Sequence, residues 1–145
     1  MVGRILVGVD GSEGSRRALR WAIGEAAAHE AALHALIVWQ SPYDFGEALY
    51  FPVDEGKLAE GAKQRVAESI AEVAGEAPGV QIDCLVVEGD PAETLCERSA
   101  EADLLVVGSR GHGGFAGLML GSVSTKCAHH SRCPVVIVPK AQTRD

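Results

Sequence analysis

Aromatic residues are scarce, at 5% of the chain, so no core can be built around Phe, Trp or Tyr. The 47% of hydrophobic residues must instead fill it with Ala, Val, Leu and Ile, which suffices for one domain over residues 1–145. Long apolar runs are missing too. None approaches the roughly 20 residues that cross a bilayer, so no membrane association is expected. The apolar start, MVGRILVGVDGS, is too short for a signal peptide and reads at once as a strand. The expected location is cytoplasmic. Basic residues are in deficit, 13 Lys and Arg against 20 Asp and Glu, for a net charge of −7. That argues against nucleic acid as a partner. It leaves room for a small anion, because backbone N–H groups bind phosphate without net positive charge.

Several chemical signatures are also absent. The cysteines are Cys84, Cys96, Cys127 and Cys133. Cys84 falls in an apolar strand-like run and Cys96 on a helix face, where a thiol packs as a small hydrophobe. CAHHSRC, residues 127–133, holds His129 and His130 between two cysteines, but the spacing fits no standard zinc pattern, so no protein-held metal is expected. The Walker A pattern does not occur. GHGGFA, residues 111–116, fits G-x-G-x-x-[GA] literally. It follows the fourth strand-like run rather than the first, and no acid stands about 20 residues on, so a nicotinamide cofactor is not expected. No nucleophile, base and orienting group recur together; of the histidines only His112 lies in the glycine-rich segment. A phosphoacceptor domain of the receiver type needs an acid cluster, whereas Asp10 stands alone and Asp90 reads as a helix cap.

What is present is a regular alternation. Arg4 to Val9, Leu33 to Trp39, VQIDCLVV, Leu104 to Val107 and PVVIVP are apolar runs suited to strands covered on both faces. Between them, Ala18, Leu19, Ala22, Ile23 and Ala26 recur at helical spacing, as do Leu58, Ala62, Val66, Ile70 and Val73. Asp90-Pro91 with Glu93 opens a third helix that runs to about Glu101, and Ser122 to Ser131 forms a fourth. The order β-α-β-α-β-α-β-α-β predicts a single-domain α/β protein with an open parallel five-stranded sheet, order 3-2-1-4-5, and helices on both faces. Ligands of such sheets bind where the order reverses, here between strands one and four.

Two segments meet at that reversal: VDGS after strand one, and GSRGHGGFAGLMLGSVSTK, residues 108–126, after strand four. So many glycines imply tight turns or a close approach to the backbone. The N-terminus of the fourth helix offers unpaired N–H groups and the positive end of its dipole, so a phosphate chain fits there. Ser122 and Ser124 would add hydroxyls, and Arg110 and His112 could reach anionic oxygens. Ser122 also fits a helix cap with no ligand, and Asp10 a simple turn former.

The spacing Gly108-x2-Gly111-x9-Gly121-Ser122 resembles the G-x2-G-x9-G-[ST] nucleotide-binding signature of the universal stress protein family, in its ATP-binding branch. ILVGVDGS is similar to that family's start and HSRCPVVIVP to its ending, so the likeness spans the chain. The resemblance implies a Rossmann-like fold of the adenine nucleotide alpha hydrolase type. It implies ATP as ligand, with Mg2+ near Asp10, and a regulatory or stress-response role. No dedicated catalysis is implied; ATP hydrolysis would be slow at most. Residue by residue, Gly108 and Gly111 match glycines against ribose and phosphate. Gly121 and Ser122 match the phosphate-holding pair, with Val123 as a further backbone contact. Asp10 matches the acid near ribose or adenine, with Gly8 and Val9 lining its turn. Val38 matches a backbone contact to adenine, and Val107 an apolar neighbour of the nucleoside.

The last strand is apolar throughout. At a sheet edge it would invite pairing with another chain, and the resemblance implies a homodimer through Val135 to Val138. The aromatic segment from Tyr43 to Phe51 has two readings, a flap over the nucleotide or packing against its own domain.

Overall fold

The computed structural model describes residues 2–40, 54–75, 79–109 and 120–140. The aromatic segment Tyr43 to Phe51 and the candidate ligands Arg110, Gly111 and His112 lie outside the described residues.

Strands β1 (Arg4–Gly8), β2 (Ala32–Trp39), β3 (Ile82–Glu88), β4 (Leu104–Gly108) and β5 (Val135–Val138) alternate with helices α1 (Glu13–His29), α2 (Glu55–Ala74), α3 (Pro91–Arg98) and α4 (Ser122–His130). The third helix tightens into a 3-10 turn over Ser99–Glu101, within the span expected for it. All pairings are parallel, in the order β3-β2-β1-β4-β5. This is the predicted Rossmann-like sheet, with its reversal between β1 and β4.

Period-two alternation sorts the apolar strand residues onto two faces. Ile5, Val7, Leu33, Ala35, Ile37, Leu104 and Val106 pack with Ala18, Leu19, Ala22 and Ile23 of α1 and with Ala62, Val66 and Val73 of α2. Leu6, Leu36, Leu105 and Val107 face the other way, against Leu95 of α3 and Cys127 of α4. Near-continuous apolar runs in β1 and β4 are what burial on both sides requires.

Three helices start on a side-chain cap. Ser12 accepts from the Ser15 N–H, Asp54 from that of Lys57 and Asp90 from that of Glu93. At the opposite end of the sheet from the strand C-termini, the Asp103 carboxylate accepts from the N–H groups of Gly3 and Arg4, each at 2.9 Å, and ties β1 to β4. Those backbone bonds hold its carboxyl below the usual aspartate value.

The edges differ. β3 exposes Asp83, Cys84 and Glu88, whereas β5 is half-buried and uncharged. Cys84 therefore departs from the expected packed hydrophobe: it sits on an edge strand and is exposed.

Candidate functional site

The site begins where β1 ends. Gly11 turns the chain at φ +83°, a conformation glycine adopts without strain. Asp10 Oδ1 accepts from the Ser12 N–H at 2.8 Å and from the Ser12 hydroxyl. Ser12 in turn caps α1, and the Ser15 hydroxyl donates to the Ser12 carbonyl at 3.0 Å. Asp10 thus shapes the turn, as the simpler reading of this residue requires. It also lines a cleft of about 520 Å³ with Ile37, Val38, Trp39, Gln40, Leu58 and Arg65. The structure therefore brings together Asp10 and Val38, which are far apart in sequence, at the carboxyl ends of β1 and β2.

The cleft has a chemical character. Ile37, Val38, Trp39 and Leu58 give it apolar surface, Asp10 an acceptor, and Gln40 and Arg65 donors. Such a mixture suits a flat heterocycle joined to a hydroxylated sugar. A second hollow, about 840 Å³, runs along the first turns of α2 between Asp54 and Ala67. Its lining is largely polar or charged and includes none of the residues expected at the site, so the smaller cleft is the better candidate.

On the other side of β1, Gly108 is hemmed in by another part of the main chain. A Cβ there would lie 2.7 Å from the carbonyl oxygen of Gly14 in α1. The close approach that demands a glycine comes from the chain's own first helix. Gly8 likewise faces inward: a Cβ on it would meet Leu95 Cδ1 at 3.1 Å and Val107 Cγ1 at 3.7 Å. Val9 and Val107 are buried, on opposite faces of the sheet, and Val9 donates its N–H to the Leu36 carbonyl at 2.9 Å. These residues build the frame of the site by packing.

Helix α4 differs from the others at its start. Its cap residue is Gly121, with no capping side chain among the described residues, and Ser122 is the first helical residue. The alternative of Ser122 as cap is thereby corrected. The Gly121 N–H donates to the Ser109 carbonyl at 2.6 Å. The Ser124 hydroxyl contacts that same carbonyl at 2.9 Å and the Gly121 carbonyl at 3.1 Å. Ser124 is 1% exposed, so its hydroxyl faces the helix–strand junction and not an outside ligand, contrary to expectation. Ser122 is exposed, and Val123 half-buried against the second core. The first-turn N–H groups of Ser122, Val123 and Ser124 are those a helix leaves without internal partners.

The CAHHSRC segment also divides. Cys127 is fully buried, and burial with the Cys96 thiol beside it pushes its thiol up to about 12. His129 and His130 are exposed. Among the described residues, no three His, Cys, Asp or Glu side chains converge on one point. No helix among them is long and apolar enough to cross a membrane.

Ile37, Trp39, Gln40, Leu58 and Arg65 are the cleft residues that sequence reasoning missed as site residues. The available signal was helical spacing: Arg65 follows Leu58 by seven residues, about two turns, on the same face.

Comparison with known proteins gives a consistent picture. A profile of the universal stress protein family matches residues 1–139. A universal stress protein of Mycobacterium tuberculosis is 40% identical over 139 residues, covering 96% of this chain and 46% of that protein. The chain spans about half the length of these curated relatives. Among solved structures, a universal stress protein in complex with cAMP is 31% identical, with a TM-score of 0.62 and coverage of 97% of this chain and 98% of the other. The universal stress protein UspA from Lactobacillus plantarum is 25% identical, with a TM-score of 0.76 and coverage of 94% and 97%.

Proposed function

The chain belongs to the universal stress protein family, and on that premise we propose that it binds ATP as a nucleotide-dependent regulatory protein without a dedicated catalytic set. One observation carries the reading. A cleft with apolar surface and the Asp10 carboxylate opens at the carboxyl ends of β1 and β2, and the start of α4, with no capping side chain among the described residues, is held at the end of β4, the strand on the other side of β1. The cleft suits adenine and ribose; the helix start suits phosphates. The solved relative in complex with cAMP supports an adenine nucleotide as the ligand class.

In this reading the base lies near Val38 and the ribose near Asp10. The phosphates meet the N–H groups of Ser122 and Val123 and the Ser122 hydroxyl, while Gly108, Gly121 and Ser124 position that helix start. Gly8, Val9 and Val107 support the floor from within. Gly111, Arg110 and His112 belong to the same proposed site through their sequence positions. A Mg2+ accompanying ATP would take phosphate oxygens and water as most of its ligands, with Asp10 as the nearby carboxylate. The protein acts in the cytoplasm as a homodimer through Val135 to Val138.

The test is to denature the purified protein, identify any released small molecule by mass spectrometry, and titrate the emptied protein with ATP. Release of ATP, or binding in the micromolar range, is expected. Gly121→Val should abolish binding. Gly121 has φ −76° and ψ 173°, a conformation valine adopts, so this change tests access to the helix start without backbone strain. If the emptied wild type binds no nucleotide, the reading fails.

A further inference from the structure

Arg65 is placed by two glycines. A Cβ on Gly11, in the turn after β1, would touch Arg65 Cδ at 3.5 Å. A Cβ on Gly61, one turn earlier in α2, would touch Nη1 at 3.6 Å. The side chain thus lies between α2 and the turn after β1, with Cδ against Gly11 and Nη1 against Gly61, and Arg65 lines the same cleft as Asp10. Arg16 of α1, by contrast, is paired with Glu13 and Glu72. No carboxylate among the described residues pairs with Arg65. A planar cation that lines one cleft with Ile37, Val38, Trp39 and Leu58, and has no carboxylate partner among the described residues, is suited to cover a flat π-system.

We propose that Arg65 is a base-recognition residue, its guanidinium stacking on the exposed face of the bound purine opposite Val38 and Leu58. The inference rests on the nucleotide reading above. The alternative, a phosphate ligand, is disfavoured by position. Arg65 shares its cleft with the Asp10 carboxylate, on the β2 side of β1, whereas the start of α4 is held to Ser109 at the end of β4, on the other side of β1. A stacking contact strengthens binding of every ligand that carries the base, whatever its phosphate number.

The experiment is calorimetric titration of adenosine, AMP and ATP into wild type, Arg65→Ala and Arg65→Met. Methionine keeps an apolar stem over Gly11 without the guanidinium. Arg65 is exposed, so both variants should fold, with thermal melting as the check. Both should weaken all three ligands by the same factor, about fivefold for one partly exposed cation–π contact. A loss that grows with phosphate number would overturn the proposal and make Arg65 a phosphate ligand. Unchanged affinities in both variants would overturn it in favour of a solvated surface arginine. Failure of the wild type itself to bind any of the three would sink the nucleotide reading, and this proposal with it.

Discussion

Gly108 and Gly14 touch through their backbones: a Cβ on Gly108 would stand 2.7 Å from the Gly14 carbonyl oxygen and 2.8 Å from its carbonyl carbon. The end of β4 and the first turn of α1 are therefore too close to admit even a methyl group between them. Because the obstacle is backbone and not a flexible side chain, Gly108→Ala must displace a strand end or a helix. The expected loss is about 2–4 kcal/mol of stability, read by urea unfolding without nucleotide. A loss below about 0.5 kcal/mol, the scale of an ordinary surface change, would show that the two elements are further apart than described.

That contact marks the limit of what the chain discloses in one dimension. The strands, helices and sheet order were legible because each apolar run is flanked by a helical period, and alternation leaves few topologies. Asp10 and Val38 were legible as neighbours because strands one and two were expected side by side and parallel, which puts their carboxyl ends together. The reason for Gly108 was not legible. A glycine required by another element's backbone looks the same in sequence as one required by a ligand. Arg65 was missed for a related cause, since a charged residue on a helix reads as solvated unless the neighbouring turn is known to lie beneath it. Cys84 misled because an apolar run does not reveal whether its strand is central or at the edge.

Asp103 gives a pH-dependent prediction. Its two backbone hydrogen bonds hold its carboxyl below the ordinary aspartate range in the folded protein. A depressed carboxyl contributes stability that is present above its unfolded pKa, about 3.9, and lost as pH falls through the folded value. Asp103→Asn should therefore melt below wild type at pH 7. The two curves should converge as pH drops below about 4, where wild type itself becomes protonated. A constant gap across that range would assign the effect to geometry and not to charge.

The edge strand gives a third prediction. The carbonyls of Pro134 and Val138 accept from the N–H groups of Leu105 and Ser109, each at 2.9 Å. Alternation along the strand then directs the N–H and C=O of Val135 and Ile137 away from β4. If the homodimer proposed above forms there, Ile137→Pro removes an outward donor while leaving the bonds to β4 in place. Sedimentation should show a dimeric wild type and a monomeric variant. A wild type that sediments as a monomer at micromolar concentration would exclude the pairing.

The bond from the Gly121 N–H to the Ser109 carbonyl has a consequence for how the junction of β4 and α4 is specified. It fastens together the two ends of the segment 110–119, and the buried Ser124 hydroxyl reinforces the knot. The end of β4 and the start of α4 are thereby bound directly to one another. The junction of β4 and α4 is thus specified by Ser109, Gly121 and Ser124 themselves, two main-chain positions and one hydroxyl, so its shape is written in very few residues.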